Sequence, residues 1–394
     1  MKKILLLGLT MGMLHADISA QSNLIKEQGL TYSLPAAFTD NTGAVVLAWT
    51  EKDAQDKVSF VYARSTDGGK SFGEKKLIYA APGIGTGRLA RPRLLFKKNG
   101  DMVAVFSMNP HAQLNTGGEK PSRPRESQIH FTVSKDGGNT WSQPQPIHTD
   151  LTPNTIRGFF DATIMANDEL AVVFLKDIPG QKHQRDLRIV TTVNGVPQDE
   201  RVIDPFVCDC CNLGLLTDAE GNLHVYYREN QDDLRDIAKM VSKDNGQTFS
   251  GQSWVHRDNW IVRACPHNGP QAIRHGNTNL IVYYSGKEDE SGIRLVNQNG
   301  NLLDKITDET VRYATLVGDN QKAVVLYTKG NKETGTKIAY KAINNQKVAK
   351  EKMAKNTENS ANPNGVFVGK KLLLTYELTE DGKSVGIKTE LINL

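Results

Sequence analysis

The chain has little that would tie it to a membrane, to nucleic acid or to a helical fold. Beyond Leu14 no stretch is apolar over the roughly 20 residues that a spanning helix needs. No excess of one charge stands out: 48 Lys and Arg face 44 Asp and Glu, a formal net charge of +4. So mild a value gives no reason to expect a polyanion such as nucleic acid, or a membrane surface, as partner. No segment carries a helical period to rival the strand-like runs, so an α-helical core is excluded. Cysteine is scarce, four in 394 residues. None lies near the N-terminal processing point described next, which argues against a cysteine-linked lipid anchor.

What is present begins with a targeting pattern. Lys2 and Lys3 precede the apolar run Ile4 to Leu14, and Ile18-Ser19-Ala20 offers a cleavage point before Gln21. Residues 1–20 are read as a signal peptide and residues 21–394 as one domain. The expected location is periplasmic or extracellular. The composition, 38% hydrophobic with 34 glycines, suits a turn-rich globular fold with a large core.

An eight-residue pattern recurs three times: STDGGKSF from Ser65, SKDGGNTW from Ser134 and SKDNGQTF from Ser242. Each ends one β-type run and starts another. Asp67, Asp136 and Asp244 are placed to hydrogen-bond a tight turn, glycine supplies positive φ, and the terminal aromatic is free to pack inward. A looser repeat covers the rest of the chain, a polar turn followed by a hydrophobic run. Asp40 to Gly43 precedes AVVLAW, Lys98 to Asp101 precedes MVAVFS, and Ala166 to Glu169 precedes LAVVFL. LHVYY, LIVYY, KAVVLY and LLLTY continue the series. Seven such hairpins at intervals of about 40–70 residues predict an all-β propeller of four-stranded antiparallel blades. Six blades would stand instead if the first or last unit were a flanking hairpin. Leu24–Leu34 is expected to supply the outer strand of the last unit and close the ring.

The eight-residue pattern resembles the Asp box, or bacterial neuraminidase repeat, of the sialidase superfamily. The resemblance implies a β-propeller in which the box is structural. Six blades are usual in sialidases of that family, so seven is a departure. The stretches FVCDCCN and DNWIVRACPHNGP, with YYRENQDDLRDIA between them, are similar to a subgroup of exported bacterial proteins with sialidase-like repeats.

In this scheme the Asp boxes lie on one face and the remaining loops on the other. The second face collects Arg88, Arg91, Arg123, Arg125, Arg157, Arg185, Arg228, Arg235 and Arg263, suited to an anionic ligand at a channel mouth. It also collects all four cysteines. Cys208, Cys210, Cys211 and Cys265 leave three readings open. One is disulfides, as befits an exported chain. Another is a thiolate site for a soft metal, Cu(I) or Zn(II), completed by His267. The third is a catalytic thiolate oriented by His267, although clustered thiols in an oxidising compartment tend to oxidise.

For function, the resemblance implies a sialidase-like glycoside hydrolase acting on an acidic, sialylated glycan or glycoconjugate, with no cofactor required. Arginines would hold the sugar carboxylate, an Asp would act as acid/base, and a Tyr activated by a Glu would be the nucleophile. The nearest match to the family's first arginine motif is Ala90-Arg91-Pro92-Arg93-Leu94-Leu95. Arg91, Arg157, Arg228, Arg235 and Arg263 are the expected carboxylate binders, and Asp161 the acid/base. Tyr227 and Glu229 share a strand face and form the expected nucleophile pair. The alternatives are a non-catalytic glycan- or protein-binding propeller and a metal-binding protein built on the cysteine loops. Oligomeric state is not legible.

Overall fold

The structure, a computed structural model, describes residues 22–115, 125–331, 333 and 335–394. The signal-peptide segment and Arg123 lie outside the described residues. Among the described residues thirty strands form seven antiparallel sheets, and these are the blades of a seven-bladed propeller. Each blade runs outward from an inner strand. In the second blade the order is Arg93–Phe96, Met102–Met108, Gln128–Ser134 and Gln145–Pro146. The inner strands of the other blades are Thr31–Thr39, Arg157–Ile164, Gly214–Thr217, Gln271–His275, Arg312–Gly318 and Ser360–Val368.

Strand alternation explains why the ring closes. Tyr226 and Tyr227 are adjacent, so they face opposite sides of the fourth blade. Tyr227 packs into the core shared with the third blade, and Tyr226 into the core shared with the fifth. The same alternation yields one hydrophobic core between every neighbouring pair of blades, seven in all. Central strands are buried on both faces, hence runs such as Leu170 to Leu175, where every side chain is interior. Each of the Leu, Val and Phe side chains among them contributes about 1.5–3 kcal/mol of burial, and a charge at Val173 would break the third blade.

The last blade is completed by the N-terminus. Ser22–Ile25 pairs antiparallel with Lys383–Asn393, with Leu24 opposite Lys388. The expected closing segment is therefore shorter than predicted. Residues from Thr31 onward already belong to the first blade's inner strand, because the turn at Lys26 to Leu30 ends the outer strand.

The Asp boxes occupy third-to-fourth-strand turns of the first, second and fourth blades. In the second blade Asp136 Oδ1 accepts the Thr140 N–H at 2.9 Å and Oδ2 accepts the Thr140 hydroxyl at 2.6 Å. Ser134 Oγ accepts the Gly138 N–H at 2.8 Å. Gly138 has φ 90°, and a Cβ there would lie 2.0 Å from the Tyr62 hydroxyl, so glycine is required. The terminal aromatics Phe72, Trp141 and Phe249 pack against inter-blade cores, as expected of anchors. Among the described residues no helix is long and apolar enough to cross a membrane.

Candidate functional site

The inner strands wall a central channel, and four of them carry a bulge at a corresponding place. The register slips between Ser33 and Ala36, Gly158 and Asp161, Arg312 and Thr315, and Ala361 and Asn364. Within each bulge a non-glycine residue is left-handed: Leu34 (φ 59°), Phe159 (55°), Tyr313 (58°) and Asn362 (51°). Such backbone is costly for bulky residues, of order 1–3 kcal/mol each, and it re-aims side chains. Tyr313 and Asn362 are thereby brought into a pocket on the face opposite the Asp boxes.

That pocket, of about 70 Å³, gathers Arg88, Arg91 and Arg93 with Tyr313, Asn212 and Asn268. Arg93 also lines a larger channel cavity of about 490 Å³ beneath it, together with Asp161. Arg88 lies over the Tyr313 ring, 4.7 Å from its centroid, and donates to the His267 carbonyl at 2.8 Å. Arg91 Nη1 donates to the Pro35 carbonyl at 2.7 Å. Arg93 Nε is 2.7 Å from Asp161 Oδ1. Among the described residues neither Arg88 nor Arg91 makes an ion pair. Burial, followed by the like charge of Arg93, pulls Arg91 down to about 10, which leaves it protonated at neutral pH. Arg88 and Arg91, neither of them ion-paired although Glu377 acts electrostatically on Arg91, thus bring positive charge to the pocket on rigid guanidinium forks, the chemistry that holds a carboxylate or sulfate. Its volume accepts such a group but is well below the roughly 300 Å³ of a pocket that encloses a whole small ligand.

Of the arginines expected to bind substrate, Arg91 alone reaches this pocket. Arg157 is fully buried and braces the loop before its strand, through the Thr152 carbonyl at 3.3 Å and Asp150 at 3.3 Å. Arg228 is also buried. It donates to the carbonyls of Arg235, Asn268 and Tyr284 and packs over Trp260. Arg235 is buried beside Asp233, and Arg263 is exposed and pairs with the same Asp233 at 3.0 Å. The loop position of these arginines was readable, but the direction of their side chains was not.

Nor does the structure bring the three expected catalytic residues together. Asp161 lies in the channel wall, where its two oxygens take Arg93 and the Leu215 N–H at 2.9 Å. Burial raises its carboxyl above the usual range, against the pull of Arg93. Tyr227 and Glu229 do share a face, as expected. That face looks into the seam with the third blade, where both bond Asp204. Burial, opposed by the Asn230 N–H and reinforced by Asp204, pushes Glu229 up to about 7. The sequence reading missed Tyr313, Asn362 and Asp204. No motif marks the first two, because a left-handed bulge made without glycine leaves no trace in composition.

The cysteine loops flank the pocket. Cys208, Cys210 and Cys211 are buried and Cys265 half-buried, and all four are free thiols. The sulfur of Cys208 is 3.8 Å from that of Cys210 and 3.7 Å from that of Cys211. The disulfide expectation is thus not met, since a bond brings sulfurs to about 2.05 Å. Hydrogen bonding with the Cys210 and Cys211 sulfurs lowers the Cys208 thiol, with a smaller contribution from the Arg228 guanidinium. Three donor triads overlap here: Cys208, Cys210 and Cys211; Cys210, Cys265 and His267; and His183, Asp209 and Cys265, each with ligand atoms within 4.8 Å. The cluster could hold a metal ion. Asn212 fastens the two loops, donating to the Pro270 carbonyl at 3.1 Å and accepting the Gly269 N–H at 2.8 Å. A Cβ on Gly269 would lie 1.8 Å from the Asn212 carbonyl oxygen, so the loops close only around glycine.

Fold and site together define a seven-bladed β-propeller with a cationic channel mouth beside a thiol cluster. No protein-family model matches the sequence, and no curated protein does. Solved structures match in fold. A protein of unknown function from Dyadobacter fermentans is 14% identical, with TM-score 0.55 over 95% of this chain and 98% of that one. A polysaccharide lyase of family PL25, an ulvan lyase, is 12% identical, with TM-score 0.56 over 95% and 96%. The same lyase has been solved bound to -[GlcA(1-4)Rha3S]-. The intramolecular trans-sialidase from Ruminococcus gnavus, in complex with oseltamivir carboxylate, is 12% identical, with TM-score 0.52 over 92% and 94%. At these identities the likeness is one of fold.

Proposed function

We propose that this is an exported, carbohydrate-active propeller that engages an acidic glycan, sialylated in the first instance, at the mouth pocket. One observation carries the reading: Arg88, Arg91 and Arg93 converge beside Tyr313 at the end of a channel. The guanidinium forks would hold the sugar carboxylate. Tyr313 is the phenol at hand for a nucleophile or proton-transfer role, in place of Tyr227. Asp161 would position Arg93 rather than meet substrate. The fold likeness to a trans-sialidase and to a lyase of an acidic polysaccharide supports the substrate class. Because the pocket takes only the acidic group, the rest of the glycan would lie across the face. The signal-peptide pattern supports a periplasmic or extracellular location.

The test is release of sialic acid from a 2-sialyl aryl glycoside, run beside depolymerisation of a uronate-containing polysaccharide. Turnover of either that is lost in Arg91→Ala and Tyr313→Phe supports an enzyme. Binding without turnover leaves a glycan-binding propeller. Neither binding nor turnover defeats the reading.

The cysteine cluster supports a second, separate reading, a soft-metal site for Cu(I) or Zn(II). Its free sulfurs are packed at ligand spacing beside an imidazole.

A further inference from the structure

We propose that the cysteine cluster binds two soft monovalent ions of the Cu(I) type, bridged by the Cys210 thiolate. This rests on the soft-metal reading above and adds how many ions there are and which residues hold each. A metal–sulfur bond of about 2.3 Å places thiolates around one ion about 3.8 Å apart. Cys208 meets Cys210 and Cys211 at 3.8 and 3.7 Å, so the three already stand as one ion's ligands. Cys265 does not join that set. It closes a second triad with Cys210 and His267, so Cys210 is common to both.

The two positions differ in chemistry. The first is all sulfur and buried, a setting that selects a soft ion content with three ligands. The second, partly exposed, adds the His267 imidazole, and Cys265 also forms a triad with Asp209 and His183. Charge favours occupancy of both. Four thiolates around one monovalent ion would leave more buried negative charge than four around two, and buried charge is costly unless paired. The Arg228 guanidinium beside Cys208 and Cys211 offsets part of what remains. The ligands are also held in place without metal. Asn212 fastens one loop to the other, Arg228 ties Asn268, and Arg185 holds the Asp209 carbonyl. Binding would release the thiol protons, so uptake weakens as pH falls.

The experiment titrates the reduced mature protein with Cu(I) under anaerobic conditions against a chromophoric chelator, and counts copper per chain by mass spectrometry. Two ions are expected for the wild type, one for Cys265→Ser/His267→Ala, and none held tightly by Cys210→Ser. One ion in the wild type, lost in the Cys265→Ser/His267→Ala variant, would overturn the two-ion site in favour of a single four-ligand one. No copper at any ratio would overturn the soft-metal reading itself, a different result. Should a variant fail to fold, the wild type decides with silver(I), a soft monovalent ion: two ions per chain by mass spectrometry support the bridged pair and a single one sinks it.

Discussion

Arg93 Nε lies 2.7 Å from Asp161 Oδ1, joining the inner strands of the second and third blades across the channel wall. Asp161 is almost wholly interior, and its other oxygen holds the Leu215 N–H of the fourth blade. One carboxylate therefore braces three blades and fixes a guanidinium that reaches the mouth. Asp161→Asn should lower stability by about 2–4 kcal/mol, because it strands a mostly buried charge. Urea denaturation measures this. The double change Arg93→Met/Asp161→Leu should recover part of the loss. A double variant no more stable than Asp161→Asn would mean that the pair is not what the site depends on.

The mouth itself is tested by Arg88→Ala. Arg88 is not in a core and makes no ion pair among the described residues, so the melting temperature should change little. Affinity for a sialylated oligosaccharide should fall about 10- to 100-fold, the worth of a hydrogen-bonded charge. Calorimetric titration reads both the affinity and its salt dependence. Unchanged affinity would remove Arg88 from the site.

The seam between the third and fourth blades should be pH-sensitive. Glu229 is pushed up to about 7, so the folded state holds a proton that the unfolded chain releases near 4.5. Between those values Glu229 binds more protons in the native state than in the unfolded one, so its contribution to stability falls as pH rises. Above about 7 the loss levels off. Glu229→Gln should flatten this slope, because the amide cannot ionise. His130 and His148, held down to about 4 by burial, act in the opposite sense over part of this range. The readout is therefore the difference between wild type and Glu229→Gln: a gap that does not change from pH 5 to 7 would contradict the assignment.

The Asp boxes predict the opposite sign. Hydrogen bonds from the Thr140 hydroxyl and N–H, then from Ser134, hold Asp136 well below the usual carboxylate range. Its contribution is present at neutral pH and is lost as pH falls below about 4. Asp136→Ala should melt a few degrees lower at pH 7 and should lose less than the wild type on acidification. Ligand affinity at the mouth should not change, since the box lies on the other face.

Much of the fold was legible in the sequence because a strand buried on both sides must be a short apolar run between turns. LAVVFL and KAVVLY could hardly be anything else. The Asp boxes were legible for a related reason: Ser, Asp and Gly at those spacings satisfy a turn from within. The cysteines could be placed on one face, because loop order follows from strand order. Less of the site was legible. Arg157 and Arg228 sit where predicted along the chain, yet their guanidinium groups turn inward to carbonyls contributed by other segments. Tyr227 and Glu229 share a face, as period two requires, but whether that face meets the channel or a neighbouring blade depends on how the blades stack.

By itself the sequence favoured seven blades over six, and the pairing of Ser22–Ile25 with Lys383–Asn393 settled the count. What the sequence determined was the repeat, the orientation of the Asp boxes and the gathering of thiols beside arginines. These follow from local periodicity and turn chemistry, which act over a few residues. Only the tertiary structure decided that Arg88, Arg91 and Arg93 meet Tyr313, that Asp161 serves Arg93, and that Cys210 belongs to two donor sets. Those relations join residues far apart in the chain. They depend on side-chain direction at bulges and loop ends, and that direction is set by packing between blades rather than by any local preference.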